Sequence, residues 1–249
     1  MPPRVTPKCC GSLRMDADVL VAGDSGVVEA PSTVYLIEAA DTILVDTSFG
    51  DPELMADRHP DFPCHRAADQ RLSAVLDVEG YAPSDIDSVV FTHLDWDHCY
   101  TLSLFDTETT FYVQRAELAY AVAPYPMHTE RYESTSLGRE PPWLTRDLRA
   151  IDGETELCEG VVAFPTPGHT VGHQSVAVAT DEGTTVVAGD AVPTFANVSR
   201  ADAPPRRRGL AMDDIAWWES ATEVLSRADR LLPGHEWEIL DADPAGLVE

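Results

Sequence analysis

One stretch constrains this chain more than any other: an apolar strand over 88–92 that runs straight into His93-Leu94-Asp95-Trp96-Asp97-His98. It packs four imidazole or carboxylate groups, His93, Asp95, Asp97 and His98, into six residues at a strand end. Such donors suit zinc, manganese or iron. Side chains alternate along extended backbone, so His93 and Asp95 are expected to point one way and Asp97 the other, with His98 joining Asp97. Two diverging groups of donors are what two neighbouring metals need. Alone, the same residues would also fit a polar loop whose aspartates cap a helix and whose histidines face solvent.

Three later segments favour the metal. Thr166-Pro167-Gly168-His169-Thr170-Val171-Gly172-His173 follows a strand, and its Pro-Gly pair sets a tight turn that presents His169. Val186-Val187-Ala188-Gly189-Asp190 is an apolar strand ending in a carboxylate, which suits a donor shared by two metals. Leu231-Leu232-Pro233-Gly234-His235 repeats the design of strand, Pro-Gly turn and histidine. Each is ordinary by itself. Four in this order are not.

Between these turns the chain reads as short strands at 18–22, 33–38, 42–45, 88–92, 110–113, 161–164, 174–179 and 184–188. Helices are expected at 66–79, 115–123 and 213–227, the last capped by Asp213 or Asp214. The stretch 124–148 is proline-rich and aperiodic, and reads as a cap or insertion over something. Strands in both halves with helices interspersed point to an α/β domain spanning 1–249, with two sheets and helices outside.

Composition narrows the partners. The chain carries 43 acidic residues against 17 basic ones, a formal net charge of −26, and Lys8 is its one lysine. That surface repels phosphates and anionic membranes, so neither nucleic acid nor membrane is expected as a partner. The acidic residues are spread along the chain, which reads as adaptation to concentrated salt and a halophilic source. No run approaches the roughly 18 apolar residues of a membrane span. The N-terminus lacks a secretory pattern, so a cytoplasmic location is expected. Five scattered cysteines without a CxxC pair fit reduced thiols.

The order HxDxDH, GHTxGH, GD and PGH resembles the metallo-β-lactamase superfamily over nearly the whole chain. The resemblance implies an αββα sandwich of two mixed β-sheets flanked by helices, with two divalent metal ions, zinc above iron or manganese, at one edge. It assigns His93, Asp95 and His169 to a first metal, Asp97, His98 and His235 to a second, and Asp190 as the bridge. His173 matches a position that supports the donors without being one. Within the superfamily, the run 166–175, the block 189–191 and the later 212–214 and 217–220 are similar to the N-acyl homoserine lactonases; 114–117 is so more weakly. That group includes monomers and homodimers.

Two departures from the family pattern stand out. Asp95 occupies a position where the family usually has histidine, although a carboxylate there also occurs in its flavodiiron oxygen reductases. A tyrosine that the lactonases carry shortly after the bridging aspartate is missing from Asp190-Ala191-Val192-Pro193-Thr194-Phe195. Thr194, or Tyr125 and Tyr132 from the cap, are the candidate substitutes, and Trp96 is a candidate to line the pocket.

The resemblance implies a small-molecule substrate, a lactone or related carboxylic ester, opened by a metal-bridging hydroxide. Asp97 would be the proton carrier. Two rivals share the site. A thioester hydrolase of the glyoxalase II type is disfavoured because only about fourteen residues follow His235. A di-iron redox protein, suggested by Asp95, would need an electron route for which no flavodoxin-like segment follows. Arg206-Arg207-Arg208 reads as solvated surface, and His59, His65 and His128 as surface or cap residues.

Overall fold

The computed structural model describes residues 2–198 and 206–240. Its strands form two sheets. The first contains β1 (Arg4–Asp16), β2 (Val27–Glu38), β3 (Thr42–Val45), β4 (Cys64–His65), β5 (Ser88–Val90), β6 (Thr110–Gln114) and β7 (Leu148–Ile151), in the order β4-β1-β2-β3-β5-β6-β7. The second contains β8 (Thr155–Cys158), β9 (Val161–Pro165), β10 (Gln174–Thr180), β11 (Gly183–Gly189) and β12 (Arg230–Pro233), in the order β12-β11-β10-β9-β8. Both are mixed: β3, β5, β6 and β7 run parallel, as do β11 and β12, and the remaining pairs are antiparallel.

Side-chain alternation on these strands builds three layers of apolar contact. Tyr35, Ile37, Ile43, Val45 and Val90 of the first sheet meet Val161, Val176, Val178, Val187 and Leu232 of the second. The residues between them in sequence, Val34, Leu36, Leu44 and Val89, face outward onto Leu72, Val75 and Leu76 of α3 (Leu72–Val78). On the far side, Val186 and Ala188 pack against Trp217, Ala221 and Val224 of α5 (Asp214–Arg227). Each large side chain so buried contributes about 1.5–3 kcal/mol. Helix, sheet, sheet, helix is the resulting order, the αββα sandwich that the sequence led us to expect. Two further helices, α2 (Pro52–Arg58) and α4 (Arg115–Val122), lie between strands of the first half.

Some expected elements differ. The segment 18–22 is not a strand: α1 (Ala17–Leu20) occupies its start. Ala17, Leu20 and Val21 are all buried and follow the i, i+3, i+4 spacing of one helical face. The Asp18 carboxylate accepts the Gly23 N–H (2.6 Å) and helps turn the chain toward β2. The helix expected over 66–79 shrinks to α3 because Arg71 is extended and only one 3-10 turn (Ala68–Gln70) precedes it. Arg66 is drawn away over the Phe49 ring, 4.0 Å from its centroid, and donates to the Cys10 carbonyl (2.8 Å). The 13-residue β1 carried no clear period, since Lys8, Gly11 and Arg14 interrupt it, yet it pairs with β2 along its length.

Candidate metal centre

Four loops leave the sheets at one edge and meet. β5 delivers His93, Asp95, Asp97 and His98; the turn after β9 delivers His169; β11 ends at Asp190; β12 ends at the turn bearing His235. The 93–98 segment is not extended throughout: it turns at 96–98, with the His98 N–H donating to the Asp95 carbonyl (3.0 Å). The donors nonetheless fall into the two expected groups, His93 with Asp95 and His169, and Asp97 with His98 and His235. His93 also groups with His98 and Asp190. Asp190 straddles the groups: Oδ2 lies 3.2 Å from His169 Nε2, while Oδ1 lies 3.1 Å from His235 Nε2 and 3.5 Å from His98 Nε2.

Every imidazole in the cluster is held by its other nitrogen. Nδ1 of His98 donates to Asp46 (2.8 Å), that of His169 to the Leu210 carbonyl (2.7 Å), and that of His235 to the Pro31 carbonyl (2.9 Å). Nδ1 of His93 donates to the Thr92 hydroxyl (2.9 Å), which in turn donates to Asp46 (2.8 Å). These partners fix the tautomer, so each ring presents one Nε2 lone pair to the cluster. Nε2 of His93 and of His98, and Oδ1 of Asp190, are buried and make no hydrogen bond. Lone pairs facing one another out of water need a cation between them. The donor set fits divalent metal ions.

His173 stands apart. Its Nε2 accepts the Asp190 N–H (3.0 Å) and its Nδ1 lies against the Thr166 hydroxyl (2.8 Å), so both nitrogens are used.

The loops are latched by groups that sequence reading did not single out. Asp46, at the exit of β3 with φ +62, accepts from Thr92 and His98. The fully buried Glu117 of α4 accepts the Leu94 N–H (3.0 Å) on one oxygen and the Gly172 N–H (2.9 Å) on the other, tying the first two loops together. A Cβ on Gly172 would lie 2.1 Å from the Glu117 nitrogen, so only glycine permits this approach. Gly168 is similar: at φ +131, its Cβ would lie 2.2 Å from the Trp217 nitrogen.

Two arginines were also missed. Arg131, from the expected cap, makes a bidentate pair with Asp95, and its Nη2 lies 2.5 Å from Asp95 Oδ2 and 2.9 Å from His169 Nε2. Arg208 belongs to the run read as solvated surface. Instead its side chain is buried, donating to the Asp190 carbonyl (2.7 Å) and to Asp190 Oδ2 (2.9 Å). Arg206 and Arg207 do keep to the surface, and the proline-rich residues ahead of them lie outside the described residues. His59 is buried too, donating to Glu133 (2.6 Å) and stacking on Trp96 with centroids 4.0 Å apart. Glu133 further accepts from Arg58 and Arg139, which fixes the loop that carries Arg131.

Electrostatics divide the cluster. Burial lowers His169, and the Arg208 and Arg131 cations lower it further, so it stays well below the ordinary histidine value. Burial lowers His98 as well, but Asp97, Asp46 and Asp190 outweigh it and push the imidazolium up to about 10. Burial opposes ionisation of Asp95, yet Arg131 and His93 hold its carboxyl well below the usual range.

A cleft open to solvent lies over the cluster. Trp96, Phe62, Leu20 and Leu210 give it apolar walls, and Arg131 and Arg208 reach into it. Trp96 therefore lines the cleft as well as packing beneath the loop. The other three candidate substrate contacts are elsewhere. Tyr125 is largely exposed, the Tyr132 hydroxyl donates to Glu117 (3.2 Å), and that of Thr194 to Asn197 (2.9 Å).

The chain resembles known proteins. A model of the metallo-beta-lactamase superfamily matches residues 27–235, and the chain belongs to that superfamily. An N-acyl homoserine lactonase of Bacillus thuringiensis is 30% identical over 171 residues, covering 65% of this chain and 63% of that protein. A probable metallo-hydrolase of Mycobacterium tuberculosis is 31% identical over 163 residues, 58% of this chain and 51% of that protein. The chain thus spans about three fifths of the length of the curated lactonases it matches. Among solved structures, an N-acyl homoserine lactone hydrolase with the product N-hexanoyl-L-homoserine bound at its catalytic metal centre superposes with TM-score 0.77, at 22% identity over 96% of this chain and 95% of that one. A probable metal-dependent hydrolase from Staphylococcus aureus gives 0.79 at 17% identity over 94% and 89%. Among the described residues no helix is long and apolar enough to cross a membrane.

Proposed function

We propose that this chain is a metal-dependent hydrolase that opens a lactone or a related carboxylic ester, with two divalent ions, zinc foremost, held at the cluster. The observation that carries the reading is the set of imidazoles whose Nδ1 atoms are all engaged and whose Nε2 lone pairs converge with Asp95, Asp97 and Asp190 beneath the cleft. The lactonase relatives support the substrate class.

His93, Asp95 and His169 would hold one ion, Asp97, His98 and His235 the other, and Asp190 would lie between them. When bound, the ions supply a water ionised near neutral pH and a Lewis acid for the substrate carbonyl. Asp97 is the most open carboxylate of the cluster, with its side chain 16% exposed against 8% for Asp95 and 5% for Asp190. It is the proton carrier: it would take the proton from the attacking water and pass it to the leaving ring oxygen. In a lactone that oxygen stays tethered, so the product is a hydroxy acid. Trp96, Phe62, Leu20 and Leu210 would hold an acyl chain.

The acidic surface supports activity in concentrated salt, where like-charge repulsion is screened. A small-molecule substrate, a cytoplasmic setting and either a monomer or a homodimer complete the proposal. The test is a panel of N-acyl homoserine lactones, simple esters, a thioester and a phosphodiester, assayed with zinc in high salt. Turnover of lactones or esters is expected. Turnover confined to the thioester would overturn the assignment, and oxygen consumption with a reductant would favour di-iron redox chemistry.

A further inference from the structure

The two donor groups are not equally free to take a metal. His169 Nδ1 donates to the Leu210 carbonyl, so the ring's single lone pair is on Nε2. Arg131 Nη2 lies 2.9 Å from that atom and 2.5 Å from Asp95 Oδ2, while its Nε reaches both Asp95 oxygens at 3.1 and 3.0 Å. One lone pair serves an N–H or a metal ion, never both. Arg208 loads the same side, because its Nη1 donates to Asp190 Oδ2, the oxygen nearest His169. On the other side both His98 Nε2 and Asp190 Oδ1 are without a hydrogen-bond partner, whereas in the first group His93 Nε2 alone lacks one among the described residues. A guanidinium and a divalent ion a few ångström apart also repel each other strongly in a buried site.

We propose that Arg131 is a resident cation that competes with metal for the group His93, Asp95 and His169. The cluster would then load in a fixed order. The group Asp97, His98 and His235 fills first, with Asp190 Oδ1, and the other fills only when the guanidinium leaves His169. The backbone around Arg131 is pinned: its carbonyl accepts the Trp96 N–H (2.9 Å), and Glu133 two residues on is bonded to Arg58, His59 and Arg139. Release is therefore a rotation of the Arg131 side chain and not an opening of the loop. Arg131 acts here as a positioning residue that sets metal stoichiometry.

The inference rests on the cluster being a metal centre, and a metal titration separates the two ideas. Chelator-stripped protein is titrated with cobalt(II), read by its visible absorption, and with zinc in competition with a chromophoric chelator. One tight equivalent and a second weaker by at least about tenfold are expected, the scale of one charge-assisted hydrogen bond. Arg131→Met keeps the aliphatic stem and removes the guanidinium. It should tighten the second step by about ten- to a hundredfold and leave the first unchanged. Asp95→His, which removes the partner that holds Arg131, should narrow the gap in the same direction and serves if Arg131→Met does not fold. Two equivalents of equal affinity in the wild type, or a gap that neither variant narrows, would overturn the inference alone. No binding at either step would overturn the metal centre itself.

Discussion

The two halves of the cluster solve the same electrostatic problem differently. Around Asp97, His98 and His235, carboxylates outnumber fixed cations, and the balance falls on the imidazoles: His98 is pushed up to about 10 and His235 is raised by Asp190 against the effect of burial. Around Asp95 and His169 the balance is built in, since Arg131 pairs with Asp95 and Arg208 with Asp190, and His169 stays neutral. One half has no fixed cation, and without a metal it draws a proton onto His98. The other already has one. Side chains of the same type, a few ångström apart, acquire different roles from what touches their outer atoms.

Four substitutions would break or sharpen this contrast. Asp190→Asn acts on both halves and should have the largest effect, weakening retention of every metal by more than about a hundredfold, the upper end seen for mere supporting groups, with hydrolysis lost in parallel; dialysis and metal analysis check it. In metal-free protein, Asp95→Ala strands the Arg131 guanidinium and should cost about 3–5 kcal/mol by denaturant unfolding, whereas Asp97→Ala, with no arginine to strand, should cost about 1 kcal/mol or less. Equal costs would erase the distinction. Asp46→Asn disturbs His98 and, through Thr92, His93. It should weaken the first metal equivalent by about ten- to a hundredfold, read by chelator competition.

A fifth substitution concerns the support of Arg131. Burial raises Glu133, but His59, Arg58 and Arg139 outweigh it and leave its carboxyl below the ordinary value of 4.5. A depressed native pKa means that its stabilisation is complete above the unfolded value and is lost as pH falls through the native one. Glu133→Gln should therefore cost about 1–3 kcal/mol at pH 7, and the gap to wild type should close as the pH drops below about 4.5. Unfolding curves across that range would show it.

Much of the centre was legible because its donors sit where apolar strands stop. β5, β11 and β12 each end in a short turn with a ligand-type side chain, and that periodicity is written locally. The supporting groups are not written that way. Arg131 is one arginine in an aperiodic stretch, and only the tertiary path brings it to Asp95, 36 positions away. Arg208 sits in a run of three whose neighbours are exposed. Glu117 lies on a helix whose sequence gives no sign that it faces inward. Asp46 is the exception: it ends the apolar run of β3 as Asp190 ends that of β11, and the same strand-end signal would have found it. The misread segment at 18–22 fails for a related reason, since four apolar or small residues fit either period until the direction of the next strand is known.

Anomalous diffraction at the zinc edge, from crystals equilibrated with increasing zinc, reads the centre atom by atom. At low zinc one peak should stand against Nε2 of His98 and His235 with Asp97 and Asp190, and a second should grow in beside His93, Asp95 and His169 only at higher concentration, with Arg131 turned away. Zinc at neither position in an intact fold, or a first peak beside Arg131, would contradict it.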